Sequence, residues 1–432
     1  MKKLRLLAIL TVVSVFAACN RSNGVEPGDE SRKVPHLKEY SNQVILDWNQ
    51  VAFNAMGGAT YQHSLVASRL NAMVHLAMHD ALNAIAPAFK TYALQKRDAA
   101  ADPITAAATA AHDILLASFP DKKAMLDSAL TVSLSVVKEG DKLTRGKAIG
   151  KEAAAGIIGL RKDDGELQDP IAGVEPSTVP GIFQGVPPMA FVFAPFWKTM
   201  KPFGLTKVDQ FRVAPHPTLT SKAYADGFEE VKKMGDLAST SRSAEQTSYA
   251  KFWYEFSEIG WNRVARTAAA SGKLDLIGTA RLFALLNMAL ADSYTAGWDS
   301  KFHYNFWRPY TAIRQAEKDG NNATSPNATW EPLLPTPPVQ DYPSTHSALG
   351  NAAATVLAGI LGDKVSFSMP STTADPAKPT RSFGSFSEAA KENADSRVMA
   401  GLHFRFSCDA GLDLGSNVGS WILKNHLQPQ AD

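Results

Sequence analysis

Apolar residues in this chain recur at three- and four-residue steps and rarely alternate. Val66, Leu70, Met73, Val74 and Ala77 set the pattern, which turns one helix face to a core and gives a β-strand no period to use. The block from about 41 to 165 is Ala-rich and predicts helices, among them 104–118, 121–138 and 144–161. From about 166 to 220 prolines and aromatics take over, including Pro170, Pro187, Pro188, Phe183, Phe191, Phe193 and Trp197. That is too much proline for helix. So long an irregular segment is pinned or functional, and its aromatics predict that it packs across the helices. Helices resume at about 220–236, 243–258, 260–272 and 274–300, then at 345–361, 385–401 and 409–426. No fixed-period repeat shows. The expected fold class is all-α, a helical bundle with long irregular loops. One large domain, 41–432, would hold an N-terminal helical half (about 41–165) and a C-terminal half (about 220–432) that carries the catalytic candidates.

The first residues read as an export signal. Lys2, Lys3 and Arg5 precede the apolar run Leu6 to Ala17. Phe16-Ala17-Ala18-Cys19 is similar to a bacterial lipobox, so 1–18 is expected to be a lipoprotein signal peptide and Cys19 the acylated first mature residue. Lipid chains gain about 0.8 kcal/mol per buried methylene. Residues 19–40 are polar and read as a flexible tether. The expected location is the bacterial cell envelope, lipid-anchored, facing the periplasm or the outer membrane. A net charge of +2 over 432 residues argues against a nucleic-acid partner. Beyond the leader no uninterrupted apolar stretch reaches about 18 residues, so no membrane-spanning helix is expected. Apart from Cys19 the only cysteine is Cys408. It has no second thiol to pair with and reads as a small buried apolar residue.

The chemistry-bearing residues fall in three stretches: Lys301–Pro309 (KFHYNFWRP), Tyr342–His346 (YPSTH) and Ser396–His403 (SRVMAGLH). The set is Lys301, Arg308, Ser344, His346, Arg397 and His403, with no acidic residue needed. It is a poor cation site and a good oxyanion site, because three fixed positive charges balance about three negative ones through charge-assisted hydrogen bonds. One histidine can then contact the central atom while the other moves protons. Lys301 and Arg308 are seven apart, which puts them on one helix face, with Pro309 ending that helix. Ser344 reads as the N-cap of the helix that follows, whose free amides favour an anion. Arg397 and His403, six apart, would point about 240° apart on one helix, so the chain is expected to turn at Gly401, with the next helix beginning at Asp409. Each piece alone has a plainer reading: an exposed basic face, a plain cap, a core histidine. Their conjunction favours the site.

The order K-x6-R-P, P-S-x-H, S-R-x5-H resembles the superfamily that joins vanadium-dependent haloperoxidases to type 2 phosphatidic-acid phosphatases and bacterial acid phosphatases. Arg69–Ile85, Gly150–Gly165 and Arg281–Asp299 are similar to helices of the soluble haloperoxidase branch. The resemblance implies that vanadate is the cofactor, that phosphate can occupy the same place, and that no haem or flavin takes part. It implies that Lys301, Arg308 and Arg397 hold the equatorial oxygens, with the Ser344 hydroxyl and the Thr345 amide completing the cradle. His403 would bond the vanadium and His346 would serve as acid-base. Hydrogen peroxide, halide and an organic acceptor are the implied partners.

The sequence departs from the family at several places. Thr345 stands for the usual Gly, adding bulk beside the cradle. Ser407 stands for a usual Asp four residues after the last His, which leaves the second nitrogen of His403 without an obvious holder. Trp298 matches an aromatic of chloride-oxidising relatives, whereas Val339 replaces an often aromatic residue, so the two point in different directions on halide. Two other readings stay open. One is a phosphatase acting on a phosphate ester through a phosphohistidine at His403, with His346 protonating the leaving group. The other is a non-catalytic oxyanion-binding lipoprotein. His75, His79 and Asp80 could be read as metal ligands or, more simply, as internal packing. His303 reads as a site neighbour or a surface residue, and Asp292 and Asp299 as partners for an active-site arginine.

Overall fold

The structure, a computed structural model, describes residues 37, 39–60, 63–165, 167–270 and 274–430. The signal segment, Cys19 and nearly all of the tether lie outside these residues. Thirteen α-helices form among them: α1 Gln43–Ala55, α2 Ser64–Ile85, α3 Pro103–Ser118, α4 Lys123–Leu134, α5 Asp141–Arg161, α6 Lys222–Met234, α7 Ala244–Phe252, α8 Ser257–Ala269, α9 Leu276–Tyr304, α10 Pro309–Arg314, α11 Thr345–Leu361, α12 Phe386–Met399 and α13 Arg405–Asn425. Two short antiparallel hairpins complete the described chain, β1 Ile171–Gly173 with β2 Phe191–Phe193 and β3 Phe367–Pro370 with β4 Thr380–Phe383. The fold is all-α, as the apolar spacing predicts.

The helices fall into two groups, α1–α5 and α8–α13, that meet chiefly through α2 and α9. The groups match by position. Each carries a Trp-Asn pair, Trp48-Asn49 on α1 and Trp261-Asn262 on α8, followed by an Arg and an Asp eleven residues apart, Arg69 and Asp80 on α2, Arg281 and Asp292 on α9. The two aspartates do one job. Asp80 accepts the backbone amides of Tyr92, Ala93 and Leu94, and Asp292 those of Phe203, Gly204 and Leu205. Each buried carboxylate thereby pins an irregular chain that helix hydrogen bonds cannot satisfy. Asn49 and Asn262 bond one another at 2.8 Å between the halves.

Helix α9 is the only described helix long and apolar enough to cross a membrane, and 94% of its most apolar window is buried inside the protein. It is the shared core helix. α11 packs most extensively on α13. Gly411 and Gly415 allow this, since a Cβ on them would stand 2.3 Å from the Ser344 carbonyl oxygen and 2.1 Å from that of Ala348. The segment from 167 to 221 does pack across the helices: Phe193 N–H donates to the Pro338 carbonyl and Phe183 N–H to that of Asn305.

Several expectations need correction. α4 ends at Leu134, four residues short of the predicted end, and α13 begins at Arg405, ahead of Asp409. Asp292 does not orient an active-site arginine, because its oxygens are taken by backbone amides. Nor does Asp299, which pairs with Arg212 at 2.7 Å. His75 bonds Asn49 and His79 bonds Asp80, and the described residues contain no group of three or more potential metal-ligating His, Cys, Asp or Glu. His303 is exposed and packs edge-on against Tyr304.

Candidate active site

The three stretches converge at one end of α9. Lys301 lies in its last turn. Contrary to the expectation of one shared helix face, Arg308 is on no regular helix with it. α9 stops at Tyr304, Asn305 takes a left-handed conformation (φ 49°), and Arg308 is extended (φ −84°, ψ 157°) as the residue before Pro309, which opens α10. Ser344 caps α11 as predicted, its hydroxyl oxygen accepting from Ser347 N–H. Arg397 lies in the last turn of α12. The chain then turns at Gly401 (φ 79°), where a Cβ would stand 2.5 Å from the Gly235 carbonyl oxygen, and His403 occupies the corner before α13.

All three cations are buried, Lys301 and Arg397 at 0% exposure and Arg308 at 1%. Lys301 Nζ donates to the Gln340 and Asp341 carbonyls at 2.6 and 3.0 Å. Arg308 Nε donates to the Val339 carbonyl at 2.7 Å, and its Nη1 to the Leu402 carbonyl at 2.8 Å and to His403 Nε2 at 3.0 Å. Arg397 makes a single bond, from Nη1 to the Trp253 carbonyl at 3.3 Å, while its buried Nε has no partner. Burial, then the neighbouring arginine, holds Lys301 well below its ordinary pKa. Burial pushes Arg308 and Arg397 down to about 10, so both stay charged at neutral pH.

One expectation fails here: a carboxylate does join the set. Asp341, three residues before Ser344, is fully buried among the cations. Its Oδ1 lies 3.0 Å from His403 Nδ1 and 3.9 Å from Arg308 Nη1. The approach to His403 is too oblique for a hydrogen bond in this conformation, and Oδ1 has no other such partner. Oδ2 accepts from the Ser407 hydroxyl. Burial outweighs Arg308 and lifts the Asp341 carboxyl to about 6. Ser407 thus holds a carboxylate supplied by another loop. Because Arg308 donates to Nε2 of His403, the proton of the neutral ring belongs on Nδ1, facing Asp341. Burial, then Arg308 and Lys301, keeps the pKa of His403 well below its usual value, so the ring is neutral.

His346 is half-buried, and its Nε2 bonds the Glu255 carbonyl at 3.1 Å. A carbonyl only accepts, so Nε2 carries the proton and Nδ1 is the basic atom. Burial, then Arg397, depresses its pKa strongly. The loop between α7 and α8 contributes what side-chain motifs could not reveal: two main-chain carbonyls, of Trp253 and Glu255, and the ring of Tyr254, 5.8 Å from Arg397 Cζ. Val339 enters through its carbonyl rather than its side chain. Trp298 is buried, its indole N–H donating to the Phe193 carbonyl at 3.2 Å.

The bulk of Thr345 is accommodated. Its Cγ2 would lie 2.6 Å from a Cβ at Gly297 on α9, so glycine there makes the space that the usual glycine would have left at 345. Gly297→Ala should therefore cost about 1–3 kcal/mol by overpacking, and Thr345→Gly in the same chain should restore most of it. Urea unfolding of the two single variants and the double variant measures this, and strictly additive losses would show that the two residues do not share that space.

Three buried cations face one buried carboxylate, and a buried guanidinium nitrogen lacks a partner. This is a helical-bundle protein with a site short of negative charge, one that a tetrahedral or trigonal oxyanion of the vanadate or phosphate kind fits. The family model described as the VCPO second helical-bundle domain matches residues 281–430. The vanadium chloroperoxidase of Curvularia inaequalis is 27% identical, over 88% of this chain and 82% of that protein. The crystal structure of the first bacterial vanadium-dependent iodoperoxidase superposes with a TM-score of 0.77 at 26% identity, covering 91% of this chain and 98% of that one. A holo-type bacterial vanadium-dependent chloroperoxidase shares the fold, with a TM-score of 0.67 at 18% identity over 90% and 93% of the two chains. Over most of its length the chain is similar to vanadium-dependent haloperoxidases, and it is an enzyme of haloperoxidase type.

Proposed function

We propose that this enzyme binds vanadate and oxidises halide with hydrogen peroxide, passing the oxidised halogen to an organic acceptor. The observation that carries this reading is the buried, under-compensated trio Lys301, Arg308 and Arg397 gathered around a neutral His403. Lys301, Arg308 and Arg397 would neutralise the oxyanion, with the Ser344 hydroxyl and the Thr345 amide at the start of α11 as further donors. Vanadate, when bound, supplies a Lewis acid that stays V(V). His403 offers it the Nε2 lone pair, while Asp341 faces the opposite nitrogen and sets the ring. His346 takes and returns protons at Nδ1, its other nitrogen held by the Glu255 carbonyl. We also propose that Cys19 anchors the protein by lipid in the bacterial cell envelope.

Purified enzyme should oxidise at least one halide when given vanadate and peroxide, and should not hydrolyse p-nitrophenyl phosphate without vanadate. Ester hydrolysis inhibited by vanadate would replace this reading with the phosphatase. Arg397→Ala should weaken vanadate binding at least about tenfold, since a charge-assisted contact contributes about 1.5–3 kcal/mol. Unchanged affinity by calorimetry would remove Arg397 from the cradle.

A further inference from the structure

Helices α1 and α8 each carry a Trp-Asn pair and touch through Asn49 and Asn262. Beyond that contact they differ. Where α1 carries Gln50 and Phe53, α8 carries Arg263 and Arg266, and all four line one cavity of about 190 Å³.

Arg263 has a counter-charge, with Nη1 on Glu255 Oε1 at 2.8 Å. Arg266 has none. It donates to the Asn49 side-chain oxygen, and no described carboxylate pairs with it. Burial, then Arg263, lowers its pKa to about 10, so it remains a cation. The second observation is Asn71 on α2. It is 5% exposed, lines the same cavity, and its amide makes no hydrogen bond to any described residue. Its amide is open to the cavity, where a ligand can meet it. The one acidic residue of the lining, Glu258, accepts from the Tyr294 hydroxyl at 2.9 Å.

We propose that this cavity is a binding site for a small monocarboxylate. Arg266 supplies the planar donors that match a carboxylate, Asn71 a further N–H, and Phe53 and Met56 a wall for a short apolar tail. Among the described residues Arg266 is the one arginine of the lining without an ion pair, and Glu258 adds a negative charge to the same wall, so the site takes no more than a monoanion. The volume, equal to roughly six waters at about 30 Å³ each, fits an acid of a few carbons. The site lies apart from the oxyanion cradle, yet Arg263 and Thr372 both hold the side chain of Glu255, whose carbonyl binds His346.

The test is calorimetric titration of the full chain with sodium butyrate in chloride-free buffer. Saturable binding is expected in the wild type and in Arg397→Ala, whose cradle is impaired. Arg266→Gln and Asn71→Leu should each weaken it at least about tenfold. Three results would overturn the proposal: no saturable binding, affinity unchanged by both substitutions, or binding lost in Arg397→Ala, which would put the anion in the cradle. Should circular dichroism show that Arg266→Gln does not fold, Asn71→Leu decides alone.

Discussion

His403→Ala should lose vanadate binding and turnover together, whereas His346→Ala should keep most of the affinity and lose about 10²–10⁴-fold in turnover. The difference follows from the atoms each ring presents. His403 turns Nε2 to the cations and Nδ1 to Asp341, so its loss removes both the proposed bond to vanadium and the ring that Arg308 leans on. His346 is fixed by a single bond to the Glu255 carbonyl and contributes a proton-accepting nitrogen. A base must be neutral to act, so activity falls as the pH drops through its pKa. Burial, then Arg397, depresses that pKa. The acid limb of the profile should therefore lie below the ordinary histidine value of about 6.5, and it should vanish in His346→Ala. Vanadate calorimetry and halide oxidation on both variants measure this. Bromide oxidation by His346→Ala at the wild-type rate would end the proton-transfer assignment. In a phosphatase the same pair would behave otherwise: His403→Ala could not trap a phosphohistidine, and vanadate would inhibit.

The residues legible in the sequence were those whose role is written in their side chains and near neighbours. Ser344 announces a helix cap, and Arg397 with His403 requires a turn that Gly401 supplies. The helices follow from apolar spacing that needs no tertiary knowledge. What escaped depends on contacts across long separations. Asp341 sits beside the YPSTH motif, but its bearing on His403 exists only once two loops about sixty residues apart in sequence meet. The break after Tyr304 rests on Asn305, a residue that tolerates the left-handed region, and a motif read as seven-residue spacing hides it. The carbonyls of Trp253, Glu255 and Val339 have no residue-type signature at all. The correspondence of Asp80 with Asp292 also needs the fold, since a pattern that occurs only twice, at long offset, leaves no period to detect.

Asp341→Asn should destabilise the free enzyme by about 1–3 kcal/mol, because an amide puts an NH2 donor where the carboxyl offers acceptors to the Ser407 hydroxyl and His403. Burial holds the folded-state pKa of Asp341, about 6, above the ordinary carboxyl value, so ionisation costs the fold as the pH rises from about 4 to 6, and the loss on substitution should be largest below that window and shrink across it. Its influence on the two anions should diverge. Phosphate is held by charge and hydrogen bonds, and a more positive site keeps or tightens it. Vanadate needs His403 set at the right angle as well, and loss of the residue behind a ligating imidazole typically weakens binding about 10–100-fold. Ser407→Ala, which frees Oδ2 of Asp341, should shift both quantities in the same sense by a smaller step, about 1 kcal/mol in stability. Chemical denaturation gives the first quantity, and calorimetry with phosphate and vanadate gives the second. Parallel weakening of both anions would mean that Asp341 only props the fold. Selective loss of vanadate would mean that a carboxylate from the loop before α11 sets the His403 ring.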